Sequence, residues 1–322
     1  MISAIDVVAA RRRLKPHLQA TPLRDSRSLS ARTGAQVYLK LESAQLTNSF
    51  KIRGAFNAAL RVVEQAREER TVPPRIVTAS AGNHGRALAL ASQRLGLETV
   101  VFAPASAPAT KREAIRQHGV ELRETRDYDE AENAAREFAA KKGALYISPY
   151  NHRDVIAGAG TIALEILDVL PRFDTLVVPI GGGGLASGLA VALKAAAPHV
   201  RIVGVEAAAS TAFATSRRAG HITVIEPRDS LADGLTGNLE PGSITFDIVQ
   251  QLVDELVAVD EDEIERAMLV LAAEEHLIAE GAGAAATAAL IAKNVVKSDE
   301  IVAILVTGAN IDVATLATLL HQ

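Results

Sequence analysis

Short apolar runs and longer stretches with apolar residues every three or four positions alternate along this chain. The first kind is the signature of buried strands, the second of helices facing a core. Residues 3–18 predict a helix with Ile5, Val8 and Leu14 on one side. Thr21-Pro22-Leu23 reads as extended or turn-like, because the residue before a proline avoids the α region. VYLKL at 37–41 predicts a strand, and residues 51–69 a helix that stops before Pro73-Pro74.

From there the alternation is regular. Strands are expected over 75–79, 99–103, 120–123, 144–147, 175–179, 201–206 and 301–306. Helices are expected over 83–95, 109–118, 129–142, 155–170, 185–197, 260–276, 282–293 and 311–320. Such a pattern implies an α/β protein whose twisted, mostly parallel sheets are covered by helices on both faces.

Composition narrows this further. A chain of 322 residues suits one large α/β unit or two lobes. With 48% hydrophobic residues it can bury a large core without disulfides, and with 3% aromatics that core must be Ala, Val, Leu and Ile. The net charge of −4 is spread with both signs interspersed, so no nucleic-acid partner is expected. The absence of cysteine removes disulfide and thiolate chemistry. MISAIDVVAARRRLKPHL lacks the apolar core of a signal peptide, and no apolar run is long enough to span a bilayer. The expectation is a cytoplasmic protein acting on a small molecule.

In parallel sheets ligands bind beyond the carboxyl ends of the strands, so the chemistry is sought in the loops that follow them. Four stand out: SFKIRG at 49–54, SAGNHG at 80–85, GGGGL at 181–185 and TGAN at 307–310. Lys51 opens a helix beside Phe50, with Asn48 or Ser49 as the expected cap. A helix N-terminus and partial burial both disfavour an ammonium ion and favour the free amine that an imine needs. A plain surface lysine is the alternative. In the second loop Gly82 and Gly85 let backbone approach a ligand, exposed amides at the helix start suit a carboxylate, and Asn83 can donate to a phenolate. A capped strand–helix turn with a loop histidine, His84, explains it equally well.

Gly181, Gly182, Gly183 and Gly184 exceed what a turn requires, and a nest of amides around a phosphate is their physical use. The same loop also fits a dinucleotide fingerprint through Gly181, Gly183 and Ala186, with Glu206 where a ribose-binding acid would lie. That reading makes an NAD-dependent oxidoreductase and leaves the first two loops unexplained. Thr307 ends an apolar strand and can meet a ring nitrogen. A cap on the last helix by Thr307 or Asn310 is as good an explanation.

Together and in this order, the four loops resemble the fold type II pyridoxal 5'-phosphate (PLP) enzymes, in the branch of threonine/serine dehydratases and serine racemases. The resemblance covers nearly the whole chain. It implies that Lys51 carries the cofactor as an imine and that Phe50 lines its ring. Asn83, Ser80 and His84, with Ala81 and Gly82 in the same loop, would serve the ring oxygen and the substrate carboxylate. Gly181 to Gly184 and the Leu185 amide would hold the phosphate, and Thr307 the ring nitrogen, where many relatives carry serine. It also implies a small lobe, residues 44–145, inserted in a large one of 1–43 and 146–322, and a homodimer.

The implied reaction is loss of water and ammonia from a β-hydroxy amino acid of the L-threonine/L-serine type. Racemases of this branch read SSGNHG; here Ala81 has no proton to give, so dehydration is expected over racemisation. Relatives that bind a divalent cation use a Glu, a backbone carbonyl and an Asp. Glu206 and Ser210 match, but Ala212 stands in the aspartate's place, so no metal is expected. β-Replacement synthases usually carry threonine where this chain has His84. The glycine-rich segment 232–243 departs from the plain threonine enzymes and leaves room for another substrate, such as a phenylserine or a hydroxyectoine breakdown product. The chain ends soon after TGAN, so no feedback by isoleucine is expected. Glu280, opening the EGAG helix, reads equally as functional or as a tight helix start.

Overall fold

The parallel neighbours predicted by the strand–helix alternation occur in two separate sheets. A computed structural model describes residues 2–321. Its strands are β1 (Leu23–Ser26), β2 (Gln36–Leu41), β3 (Ile76–Ala79), β4 (Thr99–Pro104), β5 (Glu121–Thr125), β6 (Leu145–Tyr146), β7 (Thr175–Pro179), β8 (Arg201–Ala207), β9 (Glu255–Val259) and β10 (Ile301–Val306). The larger sheet has the order β1-β2-β10-β7-β8-β9, the smaller β5-β4-β3-β6. All neighbours are parallel except β1 and β2, which lie antiparallel across the short Arg27–Thr33 helix. Strands from both ends of the chain thus share one sheet, and the stretch between them builds the other.

The larger sheet is buried on both faces, and its strands show why continuous apolar runs are needed there. Along β7, Leu176 and Val178 point into a core shared with Ile156, Ile162 and Leu189, while Val177 points the other way, among Val203, Ile304 and Ala285. Along β10, Ala303 and Leu305 face the first core, and Val302, Ile304 and Val306 the second. Fully burying each of the Leu, Val and Ile side chains contributes about 1.5–3 kcal/mol, which fixes the register of the central strands.

The elements differ from the sequence expectation in instructive places. The first helix runs only over Ala4–Leu14, capped by Ser3 and Asp6 in a reciprocal box, because Pro16 has no N–H to continue it. It buries Val7, Ala10 and Leu14, whereas Ile5 and Val8 are exposed. Strands β1 and β9 and the helices Arg27–Thr33, Ala212–Ala219 and Ile244–Leu252 were not predicted.

Candidate functional site

The four loops converge because two of them are stitched together by backbone. The chain before Lys51 pairs with the chain after β10. Ser49 and Gly308 form an antiparallel bridge, Phe50 N–H donates to the Thr307 carbonyl at 3.0 Å, and Ala309 N–H donates to the Asn48 carbonyl at 2.9 Å. This pairing corrects two expectations. Asn48, in a left-handed conformation at φ 54°, and Ser49 do not cap the Lys51–Glu69 helix; Phe50 stands at the cap without a side-chain bond. Nor do Thr307 or Asn310 cap the last helix, Val313–Leu320, where Asp312 does so. Thr307 is buried, its hydroxyl donating to the Ala282 carbonyl at 3.3 Å.

Lys51 Nζ donates to the Pro149 carbonyl at 3.1 Å and lies 5.2 Å from the centroid of the Phe50 ring. No carboxylate lies within ion-pair distance of it among the described residues. Burial pushes the amine down to about 8, with only the Glu280 charge pulling the other way. A small cavity beside it is lined by Phe50, Lys51, Gly54, Pro149, Gly184 and Leu185, and so joins the lysine to the glycine loop.

Ser80 and Ala81, at the end of β3, are buried, and the Gly82 N–H donates to Ser80 Oγ at 3.3 Å. Gly82 caps the Asn83–Leu95 helix without a side chain. Asn83 Nδ2 donates to Glu280 Oε1 at 2.7 Å, and Asn83 Oδ1 accepts from Asn310 Nδ2 at 2.7 Å. His84 is 2% exposed, and neither ring nitrogen has a hydrogen-bond partner among the described residues. Burial, helped by the Lys51 charge, pushes the imidazole down to about 3, so it is neutral at physiological pH. Burial, followed by the Asp233 charge, pushes the Glu280 carboxyl up to about 7 against the Asn83 hydrogen bond.

The glycine loop follows β7 and leads into the Gly184–Ala196 helix. Its middle is crowded. A Cβ on Gly182 would come within 2.3 Å of the Tyr150 ring, and one on Gly183, at φ 82°, within 2.4 Å of Phe213. Part of the demand for glycine is therefore packing. The left-handed residue before the helix start still turns successive amides toward one side, the arrangement that binds an anion. Tyr150 gave no sequence signal; it orders the loop from outside and accepts the Glu240 N–H at 2.8 Å.

A model of the "Pyridoxal-phosphate dependent enzyme" family matches residues 14–308. The chain belongs to this family. It is 41% identical to the L-threonine ammonia-lyase of Thermotoga maritima over 100% of its own length and 79% of that protein's. Maize serine racemase superimposes with a TM-score of 0.92 at 32% identity, covering 99% of this chain and 97% of that one. The processed form of threonine deaminase isoform 2 from Solanum lycopersicum gives a TM-score of 0.89 at 34% identity, covering 98% and 91%.

The family's cofactor is pyridoxal phosphate, and the residues present fit it. An unpaired amine meets the need of an aldehyde, and the glycine turn at a helix start meets the need of a phosphate. Ser49 Oγ, two residues before the lysine, is buried without a hydrogen-bond partner among the described residues. The dinucleotide reading loses its acid: Glu206 is 1% exposed and accepts from the Phe213 and Ala214 amides at 2.7 and 2.9 Å, capping the Ala212–Ala219 helix. Ser210 Oγ accepts from the Gly237 amide and donates to its carbonyl.

Proposed function

We propose that this protein is an ammonia-lyase that converts a β-hydroxy amino acid of the L-threonine/L-serine type to a 2-oxo acid and ammonia. The single observation that carries the reading is the Lys51 amine, half-buried at a helix start, unpaired with any carboxylate among the described residues and pulled by burial down to about 8.

In this reading Lys51 holds the cofactor, Phe50 lines its ring, and Asn83 donates to the ring oxygen. Gly181 to Gly184 and the Leu185 amide hold the phosphate. The cofactor, when bound, supplies the electron sink that acidifies the substrate Cα. Lys51 Nζ would be the base for the Cα proton. Thr307 offers the ring nitrogen a neutral hydroxyl; it cannot hold a proton there as a carboxylate would, and so favours expulsion of the β-hydroxyl over transamination. The Ser80–His84 loop orients the substrate carboxylate, with His84 neutral. Ala81 has no proton to move, which argues against two-base racemisation. Glu206, already consumed as a helix cap, is not read as a metal ligand.

The lobes are taken as 44–145 and the remainder, with the substrate between them, and the protein as a cytoplasmic homodimer. Contacts from Lys111 to Asp233 and from Arg136 to Glu240 at 2.6 Å support a closed cleft. Purified protein is tested by release of 2-oxo acid from a panel of β-hydroxy amino acids, threonine and serine first. Visible absorbance bleached by borohydride is expected alongside. A coloured protein that releases no 2-oxo acid from any of them refutes the reaction, and rapid solvent-deuterium exchange with inversion of serine refutes the reading of Ala81.

A further inference from the structure

Asn83 belongs to a hydrogen-bonded chain whose direction is fixed at its far end. Arg86, which can only donate, gives Nη1 to Asn310 Oδ1 at 2.8 Å. Asn310 Nδ2 then donates both to the Thr47 carbonyl at 2.8 Å and to Asn83 Oδ1 at 2.7 Å. A backbone carbonyl only accepts, so Thr47 fixes the Asn310 amide the same way that Arg86 does. Asn83 must turn its nitrogen outward, where one N–H goes to Glu280 Oε1 at 2.7 Å. The second N–H is left for a ligand. The charges facing this chain are Arg86, Glu280, Lys51 and, further out, the Lys111–Asp233 pair.

We propose that Arg86 and Asn310 are positioning residues for the reaction, acting through Asn83: they lock its amide so that an N–H, never the oxygen, faces the cofactor's ring oxygen. This rests on the reading that Asn83 meets that oxygen. An N–H stabilises the anionic oxygen and lowers the proton affinity of the lysine nitrogen that shares its charge. A carbonyl in the same place would repel it and raise that affinity.

The near-isosteric Asn310→Asp keeps the Arg86 contact but has no hydrogen to give Asn83, whose amide then flips. Its expected signature is an upward shift, by about one pH unit or more, in the midpoint of the visible-absorbance titration of the lysine-bound chromophore. Because Asn310→Asp also faces the Thr47 carbonyl and can disturb folding, Arg86→Leu serves as a second variant, with a smaller upward shift that Arg86→Lys reverses. Asn83→Ala shifts the midpoint upward by itself, and adding Asn310→Asp to it changes nothing more. Midpoints unmoved by Asn310→Asp and Arg86→Leu while Asn83→Ala moves its own overturn the proposal and leave the site reading standing; so do additive shifts in the double variant. An unmoved midpoint in Asn83→Ala overturns the placement of Asn83 at the ring oxygen, and the proposal with it.

Discussion

Lys40 and Lys51 come from neighbouring stretches of chain, the first buried and the second half-buried; burial lowers both amines, but they end with opposite surroundings. Lys40, on β2, is 1% exposed, and its Nζ donates to Glu165 Oε2 at 2.6 Å and to the Thr21 carbonyl at 2.8 Å. Glu165 also takes two hydrogen bonds from Arg53, at 2.6 and 2.8 Å, and Arg53 holds Glu42 at 2.7 and 2.8 Å. Two cations and two anions close on one another. Burial pushes Glu165 up, but Arg53 and Lys40 outweigh it and keep the carboxyl below its ordinary value. Around Lys51 nothing closes: the amine has one carbonyl, and Glu280, its only charged influence, is itself pushed up by burial. A buried charge matched on the spot holds elements together; one left unmatched is ready to change its protonation state.

The largest expected effect breaks that contrast at Lys51. Lys51→Met should lower 2-oxo acid release by at least about 10³-fold. The same change should stabilise the apoprotein. The amine's value of about 8 lies below its ordinary 10.5, so the folded state penalises the ammonium fully below pH 8, and the penalty fades as pH rises to 10.5. Urea denaturation at pH 7 should therefore show a gain of roughly 1–3 kcal/mol that disappears by pH 10.5. A loss of stability at pH 7 would mean that the amine has a partner after all.

Next comes the closed cluster. Arg53→Met leaves Glu42 and Glu165 buried without their guanidinium, and a loss of about 3–5 kcal/mol is expected by chemical denaturation. A loss under 1 kcal/mol would show that water or protonation replaces Arg53 easily, and the contrast with Lys51 would vanish. Glu280→Gln should be smaller and depend on pH. The wild-type carboxyl titrates near 7 in the folded state against an ordinary 4.5, so its contribution is favourable at low pH and is lost as pH rises between those values. Relative to wild type, the Gln variant should gain up to roughly 3 kcal/mol from pH 4.5 to pH 7 and change little above it. A difference that is flat across that window would mean that Glu280 is charged throughout.

The unmatched site was far more legible in the sequence than the matched cluster. In the proposed site, Lys51, Asn83 and the glycines stand out because each task proposed for them admits few residue types, and loops after strands are where such tasks lie. Arg53, Glu42, Glu165 and Lys40 carry no such mark, since any charged residue looks solvated until the fold brings it beside its partner. The Arg86–Asn310–Asn83–Glu280 chain was hidden for the same reason: residues distant in sequence meet only when three loops converge. Local rules failed where tertiary pairing took over. Asn48 and Ser49 are good helix caps by type, but their backbone is committed to residues 307–309. In the first helix, Ile5 and Val8 are the more apolar pair, yet docking on the Arg153–Val169 helix leaves the Val7 and Ala10 side inward.

The smallest expected effect tests whether the cluster is only structural. Lys40→Met removes one of the ligands of Glu165, which keeps both Arg53 bonds and the Thr21 N–H at 3.2 Å. The thioether chain fills most of the space of the lysine stem, so no large cavity opens. What is lost is one charged hydrogen bond in a cluster left with two carboxylates and one guanidinium, about 1–2 kcal/mol by denaturation. Turnover and the pH dependence of kcat should stay within about twofold of wild type, because Lys40 Nζ is spent on Glu165 and Thr21 and makes no contact with the Lys51 amine. If kcat instead falls tenfold or its pH profile moves while stability holds, Lys40 feeds charge into the site through Arg53, and the division between a closed structural cluster and an open reactive amine is wrong.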